Sequence, residues 1–361
     1  MQKKLLALAL ASAFAAPAFA ATSNVDVGGY INMSVDYLDP DMADEDGNMN
    51  ISSNSSNIYF KGTEDLGGGL KAIWQIQTYF SVGGTGKSDH TFGTADGVSS
   101  GNTYLGLQGG WGMVLAGKHD SPYKLVGRKY DFFNNQIGDS RNVINAASTD
   151  VRPNNVIAYG TPNINGFSAL VAYVTNYSSG AATDDCTSGN LNCVDAWSVN
   201  GAYDNGPLSI SVAYQQLNLS EANVVLVPED LSSWRVGASY KFGDFKVAGL
   251  YQQDQGVAGI SDLDYDAWGL GAAYKMGAFT IKGQYYNGEF DFTGNDGEVD
   301  LWAIGVDYSL SKRTTLYAAY AGMGNDDDTA FTPFGGGHGD NPGTDSGGDP
   351  SGFSLGMIHT F

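Results

Sequence analysis

In the stretch 234–242, Trp234, Val236, Ala238, Tyr240 and Phe242 share one parity, and Arg235, Gly237, Ser239 and Lys241 share the other. The scheme recurs. Trp268, Leu270, Ala272 and Tyr274 oppose Gly269, Gly271, Ala273 and Lys275, and Trp302, Ile304, Val306, Tyr308 and Leu310 oppose Ala303, Gly305, Asp307 and Ser309. Around 197–203, Trp197, Val199 and Tyr203 repeat it, with Gly201 in the stripe. A period of two places alternate side chains on opposite faces of an extended chain. Each apolar face opens on Trp and closes on Tyr roughly six residues later, about 20 Å at ~3.3 Å per residue. A bilayer requires aliphatic side chains bounded at both interfaces by amphipathic rings. A soluble sandwich also alternates, but has no reason to repeat Trp at one end and Tyr at the other. The pattern predicts an all-β, transmembrane, antiparallel up-and-down barrel.

Composition agrees. The chain of 361 residues carries 50 Gly and 21 Tyr, with only 18 Lys+Arg against 39 Asp+Glu. The Ala/Glu/Lys/Leu blend that fills helices is absent, and the glycine content reads as many turns. The mean hydropathy of -0.20 suits a barrel whose lipid-facing and lumen-facing residues cancel. A net charge of -21 disfavours nucleic acid as partner, since phosphate binding needs a basic surface.

Residues 1–20 read as a secretory signal peptide. Lys3 and Lys4 precede an apolar stretch, and Ala18-Phe19-Ala20 supplies small residues at the cleavage spacing. The remainder, 21–361, is expected to be one barrel. No later stretch is long and apolar enough for a membrane helix. The two cysteines, Cys186 and Cys193, lie close together in "TDDCTSGNLNCVD". In an exported protein that spacing suggests a disulfide closing a small loop.

The repeated phrases "YKFGDF" (240–245) and "YKMGAF" (274–279) read as tight reversals, with the Gly supplying backbone freedom. Five more short reversals occur at 64–70, 109–112, 163–167, 204–207 and 309–314. Longer polar stretches fall near 38–53, 83–100, 120–150, 178–193, 218–229, 255–263, 289–297 and 323–351. Their alternation leaves about sixteen strands, an even number that returns both termini to one side.

The last segment, "GFSLGMIHTF", carries Phe353, Leu355, Met357, His359 and Phe361 on one face and stops on Phe. Together with "FKGTEDLGGGLKAIWQIQ" (60–77) and "VRPNNVIAYGTPNINGF" (151–167), it closely resembles the trimeric general porins of Gram-negative outer membranes. The resemblance spans essentially the whole chain after residue 20. It implies a sixteen-stranded barrel whose third extracellular loop, here about 120–150, folds inward and narrows the pore. It implies a homotrimer among outer-membrane lipid and lipopolysaccharide, with Phe361 as the signal read by the barrel-assembly machinery. It also implies passive diffusion of small hydrophilic solutes.

Enzyme and metal motifs do not stand up. "SVGGTGKS" (81–88) has Ser where a phosphate loop needs Gly, and "DEDGN" (44–48) lacks the ligands that open and close a calcium loop. The four histidines make no metal-ligand spacing. No cofactor or metal is expected. Selectivity by lining charge remains. In the family an acidic cluster on the inward loop faces a basic wall. The corresponding residues here are Asp131, Asp139 and Asp150 on the loop, and Arg152, Lys61 and Lys71 on the wall. Lys61 shares its parity with Asn57 and Tyr59, and Lys71 shares that of Gln75 and Gln77. Other basic wall positions of the family are occupied by Tyr30, Asn57 and Asn102. That departure leaves an acidic or mixed constriction, so cations are expected to be favoured. The Gly- and Asp-rich stretch 325–350 reads as a mobile outer loop. A sugar or anion channel of the same fold is the nearest rival, though Tyr30 and Tyr59 make no aromatic ladder. A non-conducting adhesive or structural barrel is the second.

Overall fold

The computed structural model describes residues 23–82, 99–177, 194–218, 229–292 and 296–361. Residues 1–20, which the sequence reads as a signal peptide, and both cysteines lie outside these. Among the described residues, seventeen strands form one antiparallel sheet. They are β1 (Ser23–Asp39), β2 (Asn48–Ser53), β3 (Asn57–Gly67), β4 (Leu70–Tyr79), β5 (Thr103–Gly109), β6 (Gly112–Lys118), β7 (Val156–Gly160), β8 (Phe167–Tyr177) and β9 (Val194–Asn205). There follow β10 (Leu208–Leu217), β11 (Leu231–Phe242), β12 (Phe245–Gln255), β13 (Leu263–Met276), β14 (Phe279–Phe292), β15 (Gly297–Ser309), β16 (Thr314–Asn325) and β17 (Ser351–Thr360).

Apart from β2 and β3, each strand pairs with its neighbour in sequence, and the ring closes where β1 meets β17 on one side and β2 with β3 on the other. β2 and β3 are two parts of one barrel strand. Met33 faces Ser53 and Tyr30 faces Asn57, so the partner of β1 carries one extra residue. That is a β-bulge, with Ser55 at φ 53°. The wall therefore has sixteen strands, as the alternation of turns and loops predicted. At the seam the Phe361 amide donates to the Gly29 carbonyl at 3.1 Å, and the Gly29 amide donates back at 3.3 Å.

The outward face carries exposed aliphatics such as Val212, Leu270, Ile281, Ile304 and Leu355. Two aromatic girdles bound it. At the long-loop end, Trp197, Trp234, Trp268 and Trp302 pack against Tyr214, Tyr251, Tyr285 and Tyr320, with centroids 5.0–5.5 Å apart. At the short-turn end, Phe242, Phe245, Tyr274, Phe279 and Tyr308 form stacked or tilted pairs. The two tight reversals lie here. Gly243 (φ 61°) and Gly277 (φ 59°) turn the chain in the left-handed region, which a side chain would strain.

The long connection after β6 carries two helices, α1 (Pro122–Lys129) and α2 (Arg141–Ile144). Ser121 caps α1, its Oγ accepting from the Lys124 amide at 3.1 Å, and Pro122 stands in the first turn where no donor is needed. α1 packs against β8 to β11, and α2 against β13 to β15.

A charge on the lipid face near mid-span is expected to destabilise the barrel, whereas one on the lumen face should not. Leu270→Arg should cost ~2–4 kcal/mol, measured by urea unfolding from lipid vesicles. Ala273→Glu, which faces inward between Lys246 and Lys282 in register, should cost far less.

Candidate pore constriction

The inner face of β11 to β16 is a socket. Several of its inward positions are small: Gly237, Gly271, Ala303, Gly305, Ala319 and Ala321. Side chains of the 119–155 connection fill the space. A Cβ at Gly237 would run into the Tyr130 ring, one at Gly271 would lie 2.5 Å from Phe132, and one at Gly305 2.9 Å from Phe133. Phe133 and Ile137 are fully buried against Ala303, Ala319 and Ala321. The connection thus lies against the inner wall rather than in solvent.

A buried clamp fixes it. Arg235, on the inward face of β11, is fully buried. Its Nη1 lies 2.7 Å from Asp150 Oδ1, and its Nη2 donates to the Ile144 carbonyl at 2.9 Å and to Gln252 Oε1 at 2.6 Å. The guanidinium sits 4.0 Å over the Tyr123 ring, and the Tyr123 hydroxyl donates to Asp254 Oδ1 at 3.0 Å. Asp150 is thereby consumed as a structural ion pair and does not present charge to the lumen.

The other loop carboxylates are also turned inward. Asp139 is fully buried and accepts from the Asn135 amide at 2.7 Å and from Arg141 at its amide, Nε and Nη2, at 2.9, 2.9 and 2.6 Å. Asp131 accepts from the Phe133 amide and Gln284 Nε2, both at 2.9 Å, and from the Ser140 amide at 3.3 Å. Burial, and then the nearby Asp139 charge, push the Asp131 carboxyl up to about 7 despite those hydrogen bonds.

The charge that the loop presents to one cavity is positive. Lys124, Arg128, Arg141 and Arg152 line one cavity of about 290 Å³, together with Tyr79, Phe80, Ser53, Ser55, Asn135 and the backbone of 336–339; no carboxylate is among the lining residues. Asp120, behind them, organises three of the four. Its oxygens lie 2.8 Å from Arg152 Nε, 3.1 Å from Lys124 Nζ and 3.7 Å from Arg128 Nη1. Burial works against ionisation of Asp120, but the charges of Lys124, Arg152 and Arg128 outweigh it and hold the carboxyl well below its ordinary range. Arg152 also donates to the Tyr79 hydroxyl at 3.0 Å and lies over its ring at 5.1 Å.

The remaining wall residues fall at different heights. The Asn102 side-chain oxygen accepts from the Asp120 amide at 2.9 Å. Asn57 accepts from Gln77 Nε2 at 3.1 Å, and the Tyr30 hydroxyl accepts from Asn135 Nδ2 at 2.8 Å. These three sit at the level of the loop. Lys61 faces the lumen 5.3 Å from the Tyr59 ring, four residues below Asn57 and so about 13 Å down the strand. Lys71 lies lower still, opposite Asp65 and Gln108 beside the short turn.

The stretch 325–350, expected from its composition to be a mobile outer loop, instead docks its middle part against the inner wall. Phe334 is fully buried with Leu38, Phe133 and Ile137. The Gly138 amide donates to the Pro333 carbonyl at 2.7 Å, and Ser55 Oγ donates to the Gly337 carbonyl at 2.8 Å. One aromatic anchor and a glycine backbone that approaches closely override the polar composition.

A closed, lipid-girdled barrel with its lumen narrowed by a clamped, charged segment defines an outer-membrane channel protein. The chain belongs to the Gram-negative porin family, whose model matches residues 7–328. It is 32% identical to Outer membrane porin protein 32 of Delftia acidovorans over 70% of each chain, and 30% identical to an outer membrane porin protein of Bordetella pertussis over 70% of this chain and 69% of that one. Its fold matches an anion-selective porin from Comamonas acidovorans with a TM-score of 0.77 at 29% identity, over 94% of this chain and 100% of the other. It is a passive diffusion channel of the outer membrane and not an enzyme.

Two measurements address the clamp and the buried carboxyl. Arg235→Gln leaves Asp150 buried without its cation and should cost ~3–5 kcal/mol in urea unfolding. It should also make single-channel current noisier as the segment loses its seat. For Asp131 the folded carboxyl titrates higher than the ordinary ~3.9 of an unfolded chain, so the folded state binds the extra proton. Stability should fall as pH rises from about 4 to about 7 and level off above. Asp131→Asn should flatten that slope in thermal unfolding.

Proposed function

We propose that this channel favours small anions. The observation that carries the reading is the cavity whose lining holds four cations and no carboxylate. The acidity of the whole chain favours cations in a reading of the sequence, but Asp139 and Asp150 are consumed by Arg141 and Arg235, and Asp131 by amides. Acids in outer loops lie beyond the reach of the permeating ion once salt screens them over ~10 Å at 0.1 M. Lower in the lumen, Lys241 and Lys246 face each other in register on the inward side of β11 and β12. Two like charges set side by side repel, and an anion passing between them relieves the repulsion. The Comamonas acidovorans protein whose fold this chain matches is an anion-selective porin, which agrees with the charge arrangement here.

The working unit is a homotrimer in contact with outer-membrane lipid and lipopolysaccharide, and Phe361 serves as the assembly signal for the barrel-assembly machinery. The exposed outward residues Val25, Val27 and Val35 of β1 suit close packing of subunits. Arg128 and Arg152 with Lys124 form the constriction charge, and Arg141, paired with Asp139, lines the same cavity. Lys61 and Lys71 act further along the path rather than at its narrowest point.

The test is the zero-current potential of single channels in a salt gradient. Its sign should report anion preference, and Arg128→Gln with Arg152→Gln should move it toward the cation side. A cation-selective wild type, or a double variant with unchanged potential, contradicts the reading.

A further inference from the structure

We propose that the outer wall of β8 to β10 carries a seat for one acyl chain of a phospholipid, drawn from the leaflet that meets the short turns. The outward parity of β9 reads Trp197, Val199, Gly201 and Tyr203, so glycine stands where its neighbours carry large side chains. In register Gly201 lies between Ala169 of β8 and Val212 of β10. A Cβ built on Gly201 would meet no atom within 4 Å. Other outward glycines are covered by a neighbouring strand: a Cβ at Gly249 would lie 2.9 Å from Leu270, and one at Gly322 2.7 Å from Trp302. The gap at Gly201 belongs to a groove of about 560 Å³ lined by Ile164, Phe167, Ala169, Tyr203, Ile210 and Val212, with no charged residue in its lining.

The position of the groove names its occupant. Gly201 is two residues from Tyr203 and four from Trp197, about 7 Å and about 13 Å along the strand, so it lies within the band bounded by the two girdles. The groove is therefore continuous with the hydrocarbon-facing surface, and it sits toward the short turns, which in such barrels face the periplasm. Lipopolysaccharide meets the opposite end. A second subunit is not the occupant either. In a ring of sixteen barrel strands, β9 and β10 stand across from β1 and β17, and β1 carries the face suited to subunit packing.

Packing supplies the selectivity. Lipid tails are as apolar as leucine, so joining apolar surfaces inside a bilayer brings no hydrophobic gain. A chain on a flat wall touches it along one side, whereas a chain laid in a groove is touched on three, and each contact adds dispersion energy. The Phe167 and Tyr203 rings, tilted with centroids 4.4 Å apart, wall the groove where it approaches the interface. There the Tyr203 hydroxyl accepts from Asn205 Nδ2 at 2.7 Å, which leaves its proton to donate to an ester or phosphate oxygen. With no charge in the lining, the chain and not the charge of the headgroup decides binding.

The experiment is native mass spectrometry of the assembled protein, delipidated in detergent, re-exposed to dipalmitoyl phosphatidylethanolamine and activated until loosely held lipid is stripped. The wild type should keep one lipid per subunit, and dipalmitoyl phosphatidylglycerol should be kept equally. Gly201→Leu, which fills the gap with an apolar side chain that a lipid-facing strand tolerates, should lose it. Ala169→Leu closes the same gap from β8 and serves if Gly201→Leu does not assemble, with the same expectation. Leu270→Ala, outward but outside the groove, should keep the lipid. A wild type that keeps none, or a gap-filling variant that keeps as many as the wild type, overturns the proposal. So does loss of the lipid in Leu270→Ala, because retention would then belong to the wall as a whole. A change in subunit number on filling the gap would make the groove a protein contact and overturn it as well.

Discussion

A backbone amide in hydrocarbon has no water to turn to, so every N–H and C=O that crosses the bilayer must find a partner in the protein. The chain meets this constraint by closing its sheet on itself, and the rest of the structure follows from that closure. A closed sheet has an inside, and sixteen strands make it too wide to fill with wall side chains alone. The inner parity is then free of the demand for apolar residues. It carries glycine and alanine where the 119–155 segment packs, and polar or charged groups elsewhere.

Charge inside the barrel divides into two uses. Arg235 with Asp150, and Arg141 with Asp139, are short-range pairs that hold backbone in place. Such pairs bring geometric definition more than net stability, because desolvation offsets most of their attraction. The second use is the set of cations that keep a face toward the lumen. Asp120 holds Arg152, Lys124 and Arg128 together against their mutual repulsion, which turns scattered positive residues into a fixed positive edge. Net charge of the chain and the charge along that cavity edge are therefore separate quantities with opposite signs.

The strands were legible because lipid imposes a simple alphabet on one parity, and Trp-to-Tyr spacing survives into the observed girdles. The turn glycines Gly243 and Gly277 were legible for the same reason, since local backbone geometry demands them. The charge partners were not legible. Asp150 and Arg235 are 85 residues apart, and whether an acid faces water or a guanidinium depends on that pairing. A usable signal existed in the inward run Gly237, Gly271 and Gly305, whose missing side chains mark where something else must pack. Composition misled for 325–350, where Phe334 and His338 act as anchors within a stretch whose average reads as solvated loop.

The claim that the narrowest part of this pore presents positive charge is tested most directly by anomalous scattering from crystals soaked in bromide and, separately, in caesium. Bromide is predicted to occupy the space between Arg128, Arg141 and Arg152, with no caesium at Asp131 or Asp139. Caesium at those carboxylates, with no bromide beside the arginines, would contradict the account.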